Sequence, residues 1–169
     1  VNVAGPEVEE KLRRLLPADT VWFRSQAELK GMHNRYRDPA QLGADRFAAA
    51  LGARALAPGE RVIVATCGTA TTIDAVDAQG DFLGGMIVPG VELMAASLAR
   101  NTAQLPMVAA QPPSGATGFA DNTDDAIRSG ILAAQAGAIE RACALHRAEL
   151  CIVSGGAAAW VAPALTVPC

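Results

Sequence analysis

From residue 61 onward, short β-branched apolar runs alternate with tight turns and then give way to long stretches of helical spacing. Val62 to Val64 is a first apolar run, interrupted at Gly68, and Thr71 to Val76 is a second. Ala78-Gln79-Gly80-Asp81 forms a four-residue turn before a third run, Phe82 to Val88. This pattern predicts a three-stranded antiparallel meander over about 61–88. Pro89-Gly90 opens a helix over about 91–100. A long helix is expected from Thr123 to Arg147, with Ile127, Ile131, Ala134, Ala138, Ala142 and Leu145 recurring at helical spacing. Leu150 to Val153 reads as a buried strand that ends in Ser154-Gly155-Gly156.

Upstream the pattern is weaker. Residues 7–16 predict a short amphipathic helix stopped by Pro17, residues 21–23 a short strand, and residues 27–37 a polar loop. In Asp38-Pro39-Ala40-Gln41, Asp38 can cap, Pro39 suits a first turn and Gln41 would complete a capping box. The helix it starts should run to about Gly52 with Leu42, Phe47 and Leu51 inward. Residues 53–60 form a Pro/Gly connector and the best internal boundary, dividing 1–58 from 59–169, while 105–122 read as irregular. Strands alternating with helices around a meander argue for an α/β fold. Ligands in such folds sit at the carboxyl ends of strands, where Gly68-Thr69 and Gly155-Gly156 fall.

Composition narrows the options. The chain has 169 residues, 51% hydrophobic and 18% charged, which supports a packed core and argues against disorder. Net charge is −3, and Arg35, Arg37 and Arg46 make only a local basic spot, so nucleic acid is not an expected partner and a small anion is. No apolar run approaches the ~20 residues needed to cross a bilayer. The four cysteines (Cys67, Cys143, Cys151, Cys169) form no Cys-x-x-Cys pair, which suits free thiols in a reducing cytoplasm. With His33 and His146 the only histidines, no transition-metal site is expected and no residue is assigned as a metal ligand.

Two stretches could carry chemistry. In Cys67-Gly68-Thr69-Ala70-Thr71-Thr72, a glycine lets the backbone approach a ligand, and amides with threonine hydroxyls can donate to phosphate oxygens. Threonine also belongs in strands and glycine in plain turns, so this stretch alone leaves both readings open. In Leu42-Gly43-Ala44-Asp45-Arg46, a glycine inside a helix would cost ~1 kcal/mol relative to alanine, understandable if a ligand must come close. A carboxylate beside an arginine suits orienting and deprotonating a hydroxyl; a surface ion pair is the competing reading. Asp121, Asp124 and Asp125 read as capping of a helix start. Asp74 and Asp77 read as solvent-facing, Trp22 and Trp160 as core or interface anchors, and Cys67 as a small packing residue.

Taken together, these motifs resemble the type III pantothenate kinase family, including its Bvg accessory factor branch. The resemblance rests on Tyr36, Pro39 and Leu42 to Arg46, then on Cys67 to Thr72, Phe82 to Gly90 and Thr102 to Pro106. Asn122-Thr123, Ser129-Gly130 and Ser154 to Gly156 follow in the same order. It implies an actin-like, ribonuclease-H-like duplicated fold, with 1–58 the remainder of a first such domain and 59–169 the second. It also implies a homodimer and ATP- and Mg²⁺-dependent phosphorylation of pantothenate, the first step towards coenzyme A. On these positions Asp45 would be the general base, with Tyr36, Gly43, Ala44, Asp45, Arg46 and Thr123 lining the pantothenate site, Thr123 from the partner subunit. Gly68 and Thr69 would meet the ATP phosphates, and Gly155 and Gly156 would border the nucleotide.

The chain departs from the family in two ways. No counterpart of the family's opening phosphate loop precedes the Val1 region, and the chain stops soon after the glycine pair. The expectation is therefore a fragment with impaired ATP binding. Thr66 stands where many members carry an aspartate that ligates a monovalent cation, so K⁺ or NH₄⁺ dependence is not expected. The alternative to a kinase is a non-catalytic regulatory or accessory protein that keeps the fold.

Overall fold

The computed structural model describes residues 1–109, 111 and 118–169. Four strands form the main sheet: β3 (Val62–Cys67), β4 (Ala70–Val76), β5 (Phe82–Pro89) and β6 (Leu150–Ser154), after a small hairpin of β1 (Glu28–Leu29) and β2 (Met32–His33). The order across the sheet is β5-β4-β3-β6, with β3, β4 and β5 antiparallel and β6 parallel to β3. The helices are α1 (Pro6–Leu15), α2 (Ala44–Leu56), α3 (Val91–Asn101), α4 (Thr123–His146) and α5 (Ala158–Val161). The parallel pair needs a crossover, and α3 and α4 supply it. This is an α/β fold on a mixed sheet.

Side-chain alternation along the strands makes two cores. Val62 and Val64 of β3, Val76 of β4 and Ile152 of β6 face α2, where Phe47, Ala50 and Ala53 meet them. Ile63, Ala65 and Cys67 of β3, Ile73 of β4 and Cys151 of β6 face the other way, against Ile131, Ile139 and Ala142 of α4 and Val91 and Ala95 of α3. Both faces are covered, so the strands read as near-continuous apolar runs rather than a clean alternation. The thiols of Cys67, Cys143 and Cys151 are free and buried within the second core.

The meander and the helices after it lie close to the positions the sequence predicts. Four local readings need correction. Residues 21–23 run without pairing to any strand among the described residues; Phe23 instead stacks on Phe47, ring centroids 6.1 Å apart, and Trp22 lies under the Arg13 guanidinium. The expected loop at 27–37 contains β1 and β2, joined through Lys30 (φ 51°) and Gly31 (φ 75°). Such a turn matches the strand twist, and two-residue strands are too short to leave a period in the sequence.

Asp38 does cap, accepting from the Ala40 amide at 3.0 Å, but it caps a single 3₁₀ turn over Pro39–Gln41. The chain then extends through Leu42, and α2 starts afresh with Gly43 as its N-cap. Gly43 is thus outside the helix and carries no helix-propensity cost. On α4 the buried stripe is Ile127, Ile131, Gln135, Ile139 and Ala142, whereas Ala134 and Leu145 are exposed. An apolar-only reading rotates the stripe to keep the glutamine out of the core. The irregular segment expected at 105–122 carries neither helix nor strand where described; residues 110 and 112–117 lie outside the described residues.

One polar contact ties the 28–37 segment to the sheet. Asp81 accepts from the His33 amide at 3.1 Å, lies 2.8 Å from His33 Nδ1, and takes Arg35 Nε at 3.0 Å on its other oxygen. Arg35 also donates its amide to the Phe82 carbonyl. Burial works to raise the Asp81 pKa, but the hydrogen bonds from His33 and the Arg35 guanidinium outweigh it and hold it at about 2. A carboxylate depressed in the folded state stabilises above its unfolded pKa of ~3.9 and loses that contribution as pH falls through the folded value. Asp81→Asn should therefore lower the urea midpoint at neutral pH, and the gap to wild type should close as pH falls from ~4 to about 2. A gap of equal size at both ends of that range would contradict this account of the contact.

Candidate functional site

The amino end of α2 is built around one buried ion pair. Arg46, the third residue of the helix, turns inward and is 7% exposed; Asp74, in the middle of β4, is 1% exposed. Arg46 Nε lies 3.1 Å from both Asp74 oxygens, and its Nη2 donates to Oδ1 as well. Its Nη1 donates to the Tyr36 hydroxyl at 2.8 Å, and the guanidinium lies 5.7 and 5.9 Å from the Tyr36 and Phe82 ring centroids. Burial works to lower the Arg46 pKa, yet Asp74 and the Tyr36 hydroxyl raise it overall, so the guanidinium stays charged. Burial pushes the Asp74 carboxyl up, Arg46 draws it down, and nearby Asp45 adds a further push upward.

This corrects two expectations. Asp74 is not solvent-facing: on the sheet face that carries Val64 and Val76 it is the anchor for α2. Arg46 is not part of an exposed basic spot, and its charge is committed to Asp74 rather than to Asp45. The sequence signal for Asp74 was present in a lone carboxylate inside a β-branched strand, since a charge at such a position needs a partner. Asp77 lies just beyond β4 and accepts from the Asp81 amide at 2.8 Å.

With Arg46 turned inward, Asp45 is left exposed on the first turn of α2. Its Oδ1 accepts from the Arg46 amide at 2.9 Å, and among the described residues it has no ion-pair partner. A Cβ at Gly43 would come within 2.6 Å of that oxygen, so the glycine keeps room for the carboxylate. Gly43, Ala44, Asp45, Arg46 and Tyr36 therefore share one end of the α2 face.

The second cluster lies at the carboxyl end of β3. Gly68 donates to the Ala70 carbonyl at 3.1 Å, closing the β3–β4 turn, and Gly90 donates to the Thr69 carbonyl at 2.9 Å. A Cβ at Gly90 would run into the Gly68 carbonyl, so only glycine lets β5 pass this close. From the other side Gly155 (φ 95°) lies against Cys67, and the Ala157 amide donates to the Cys67 carbonyl at 3.0 Å. Together they frame a cleft of about 450 Å³ lined by Gly68, Thr69, Gly156, Trp160 and the first residues of α3, Val91 and Glu92. Gly68, Thr69 and Gly156 thus meet in one cleft, with Gly155 supporting it from behind. Cys67 also lines it, but burial pushes its thiol pKa up, which suits a packing residue and not a nucleophile. Trp160, nine-tenths buried in the core, forms part of the wall.

Thr123 is elsewhere. It is exposed at the start of α4, where Asn122 is the cap and accepts from the Asp125 amide at 2.9 Å. Asp125 is buried and takes Arg128 Nη1 at 2.9 Å, so it does more than the capping expected of it. Thr123 borders an apolar cleft of about 850 Å³ between α3 and α4, lined by Leu93, Met94, Leu98, Ile127 and Ile131 among others. Tyr36 and Gly43 to Arg46 are not in that wall, so within one chain the structure does not bring Thr123 to Asp45. Nor does Asp45 line the cleft at Thr69.

Thr66, Thr72 and Ser154 lie side by side on three adjacent strands, on the same sheet face as Asp74. The Thr66 and Ser154 hydroxyls are 3.3 Å apart. These hydroxyls occupy the sheet surface between the Asp74 anchor and the turn. Removing the anchor should be costly, because it leaves the Arg46 charge buried without its counter-ion. Asp74→Asn is expected to destabilise the fold by about 3–5 kcal/mol, read as the shift in chemical denaturation. A change under ~1 kcal/mol would mean that the pair behaves as an exposed one.

The chain is similar to known proteins in sequence and in fold. The sequence family described as type III pantothenate kinase matches residues 1–145. The type III pantothenate kinase of Janthinobacterium sp. (strain Marseille) is 56% identical over 179 residues, covering 98% of this chain and 68% of that protein. That of Herminiimonas arsenicoxydans is 56% identical over 177 residues, with the same coverage. That of Cupriavidus pinatubonensis is 45% identical, covering 99% of this chain and 67% of its own length. The chain thus spans about two thirds of the length of these curated relatives. Among solved structures, a conserved Baf family protein from Campylobacter jejuni superposes with a TM-score of 0.56 at 25% identity, over 75% of this chain and 55% of the other.

Proposed function

The chain belongs to the type III pantothenate kinase family, and from that premise we propose that Asp45 and the Gly68–Thr69 turn are the two ends of its active site. The reaction of the family is ATP-dependent phosphorylation of pantothenate. The observation that carries the assignment is the exposed Asp45 carboxylate, which the Arg46 guanidinium does not pair because it is committed to Asp74. Asp45 accepts the proton of the pantothenate hydroxyl as that oxygen attacks the γ-phosphorus of ATP. The bond from the γ-phosphorus to the bridging oxygen breaks, and ADP leaves. Phosphoryl transfer asks a protein mainly to position groups and offset charge.

Tyr36, Gly43, Ala44 and Arg46 line the pantothenate side. Gly68 and Thr69 meet the ATP phosphates with backbone and hydroxyl donors, and Gly155 and Gly156 border the nucleotide. Mg²⁺, when bound, would offset the charge of the phosphates, and such an ion would keep much of its water and need no protein cage. The residues fit such an ion, since Thr69 and Glu92 put a hydroxyl and a carboxylate in the wall of the cleft. Thr123 reaches the pantothenate of the partner subunit in a homodimer, which accounts for its distance from Asp45 within one chain. Residues 1–58 are taken as part of the first ribonuclease-H-like half of a duplicated actin-like fold and 59–169 as the second, in a cytoplasmic enzyme. No observation favours the non-catalytic accessory reading.

Asp45→Asn in the intact enzyme should lower kcat by about 10²–10⁴-fold while calorimetry shows pantothenate binding retained. Unchanged turnover would remove Asp45 from the base role. At Thr66 the donor set is neutral, with the hydroxyl facing Ser154 Oγ. Steady-state rates should therefore be the same in sodium and potassium buffers, and a rate that collapses in sodium and recovers in potassium would contradict this.

A further inference from the structure

We propose that Gln135, in the middle of α4, is a positioning residue that holds the phosphate turn in register. The inference rests on the reading of Gly68–Thr69 as the ATP-phosphate end of the site. Gln135 is fully buried, in the stripe of α4 otherwise occupied by Ile131 and Ile139. Its Nε2 donates to the Pro89 carbonyl at 2.8 Å and lies 3.4 Å from Met94 Sδ. Among the described residues its Oε1 has no hydrogen-bond partner. A glutamine in an apolar stripe with half its amide unsatisfied is a costly residue to keep, so its donor must hold something an aliphatic side chain would not.

What it holds is the end of β5. Pro89 has no N–H and closes an edge strand, so the strand ladder secures it weakly. The next residue, Gly90, donates to the Thr69 carbonyl and packs on the Gly68 carbonyl, and its own carbonyl accepts from the Met94 amide. Gln135 therefore grips both sides of Gly90: Pro89 before it and the first turn of α3 after it. A shift of Pro89 moves Gly90, and with it the peptide between Thr69 and Ala70. The same helix begins at Thr123, so α4 joins the phosphate turn to the other cleft.

Two variants of the intact enzyme test this. Gln135→Met keeps the volume and loses the donor, whereas Gln135→Glu can donate to Pro89 only when protonated. In Gln135→Met the KM for ATP and the calorimetric Kd for ATP–Mg²⁺ should both rise about fivefold or more, with the pantothenate KM within about twofold. In Gln135→Glu the ATP affinity should recover as pH is lowered, relative to wild type, and in Gln135→Met it should not. Wild-type ATP parameters in both variants would overturn the proposal. So would parallel rises in both KM values that follow a fall in Tm. A wild type that binds neither ATP nor pantothenate would overturn the underlying reading as well.

Discussion

The ion pair between Arg46 and Asp74 is the contact on which the arrangement depends. It fastens the first turn of α2 to the middle of β4, through a residue adjacent to the proposed base. Burying two charges is expensive, and such a pair is weak evidence for stability by itself. Here it does something that a pair of apolar residues would not. It fixes the guanidinium in one orientation, hydrogen-bonded to Tyr36 and facing Phe82, and leaves the Asp45 carboxylate exposed. A helix start held only by aliphatic packing could slide along the sheet by part of a turn; a bidentate pair cannot.

The phosphate end follows a different logic. There the backbone does the work, and close approach is what the residues permit: Gly90 under the Gly68–Thr69 turn, and Gly155 against Cys67. The Asp74 anchor of α2 and the turn lie on one sheet, separated by a short row of hydroxyls from Thr72, Thr66 and Ser154. Strands are stiff along their length, so anchoring one end to β4 and forming the other from the β3–β4 turn sets their separation through covalent geometry rather than through loops. Asp81 plays a supporting part, holding the segment that carries Tyr36 against the start of β5.

Much of this was legible in the sequence. The meander announces itself by β-branched runs broken by turn residues, and the motifs around Asp45, Gly68 and Gly155 mark both ends of the proposed site. What was not legible shares one physical cause: polar side chains that act from inside. Asp74 read as solvent-facing because a strand with one charge looks like a strand with one wet face. Gln135 escapes a reading of helical periodicity among apolar residues alone, which rotates the α4 stripe onto Ala134 and Ala138. In both, a buried polar group was paid for by a specific partner distant in sequence, Arg46 or Pro89, and such partners are invisible to local pattern. The hairpin of β1 and β2 is hidden for a simpler reason, since two residues per strand leave no period in the sequence.

The central claim is that the anchored helix start presents Asp45 to the substrate hydroxyl while the glycine-framed turn holds the phosphates. A crystal structure of the intact enzyme with pantothenate and a non-hydrolysable ATP analogue tests it most directly. The account predicts an Asp45 carboxylate oxygen within hydrogen-bond reach, about 2.6–3.2 Å, of the pantothenate hydroxyl, with the γ-phosphate against Thr69 and Arg46 still on Asp74. A hydroxyl met by a different base, or phosphates bound away from the Gly68–Thr69 turn, would contradict it.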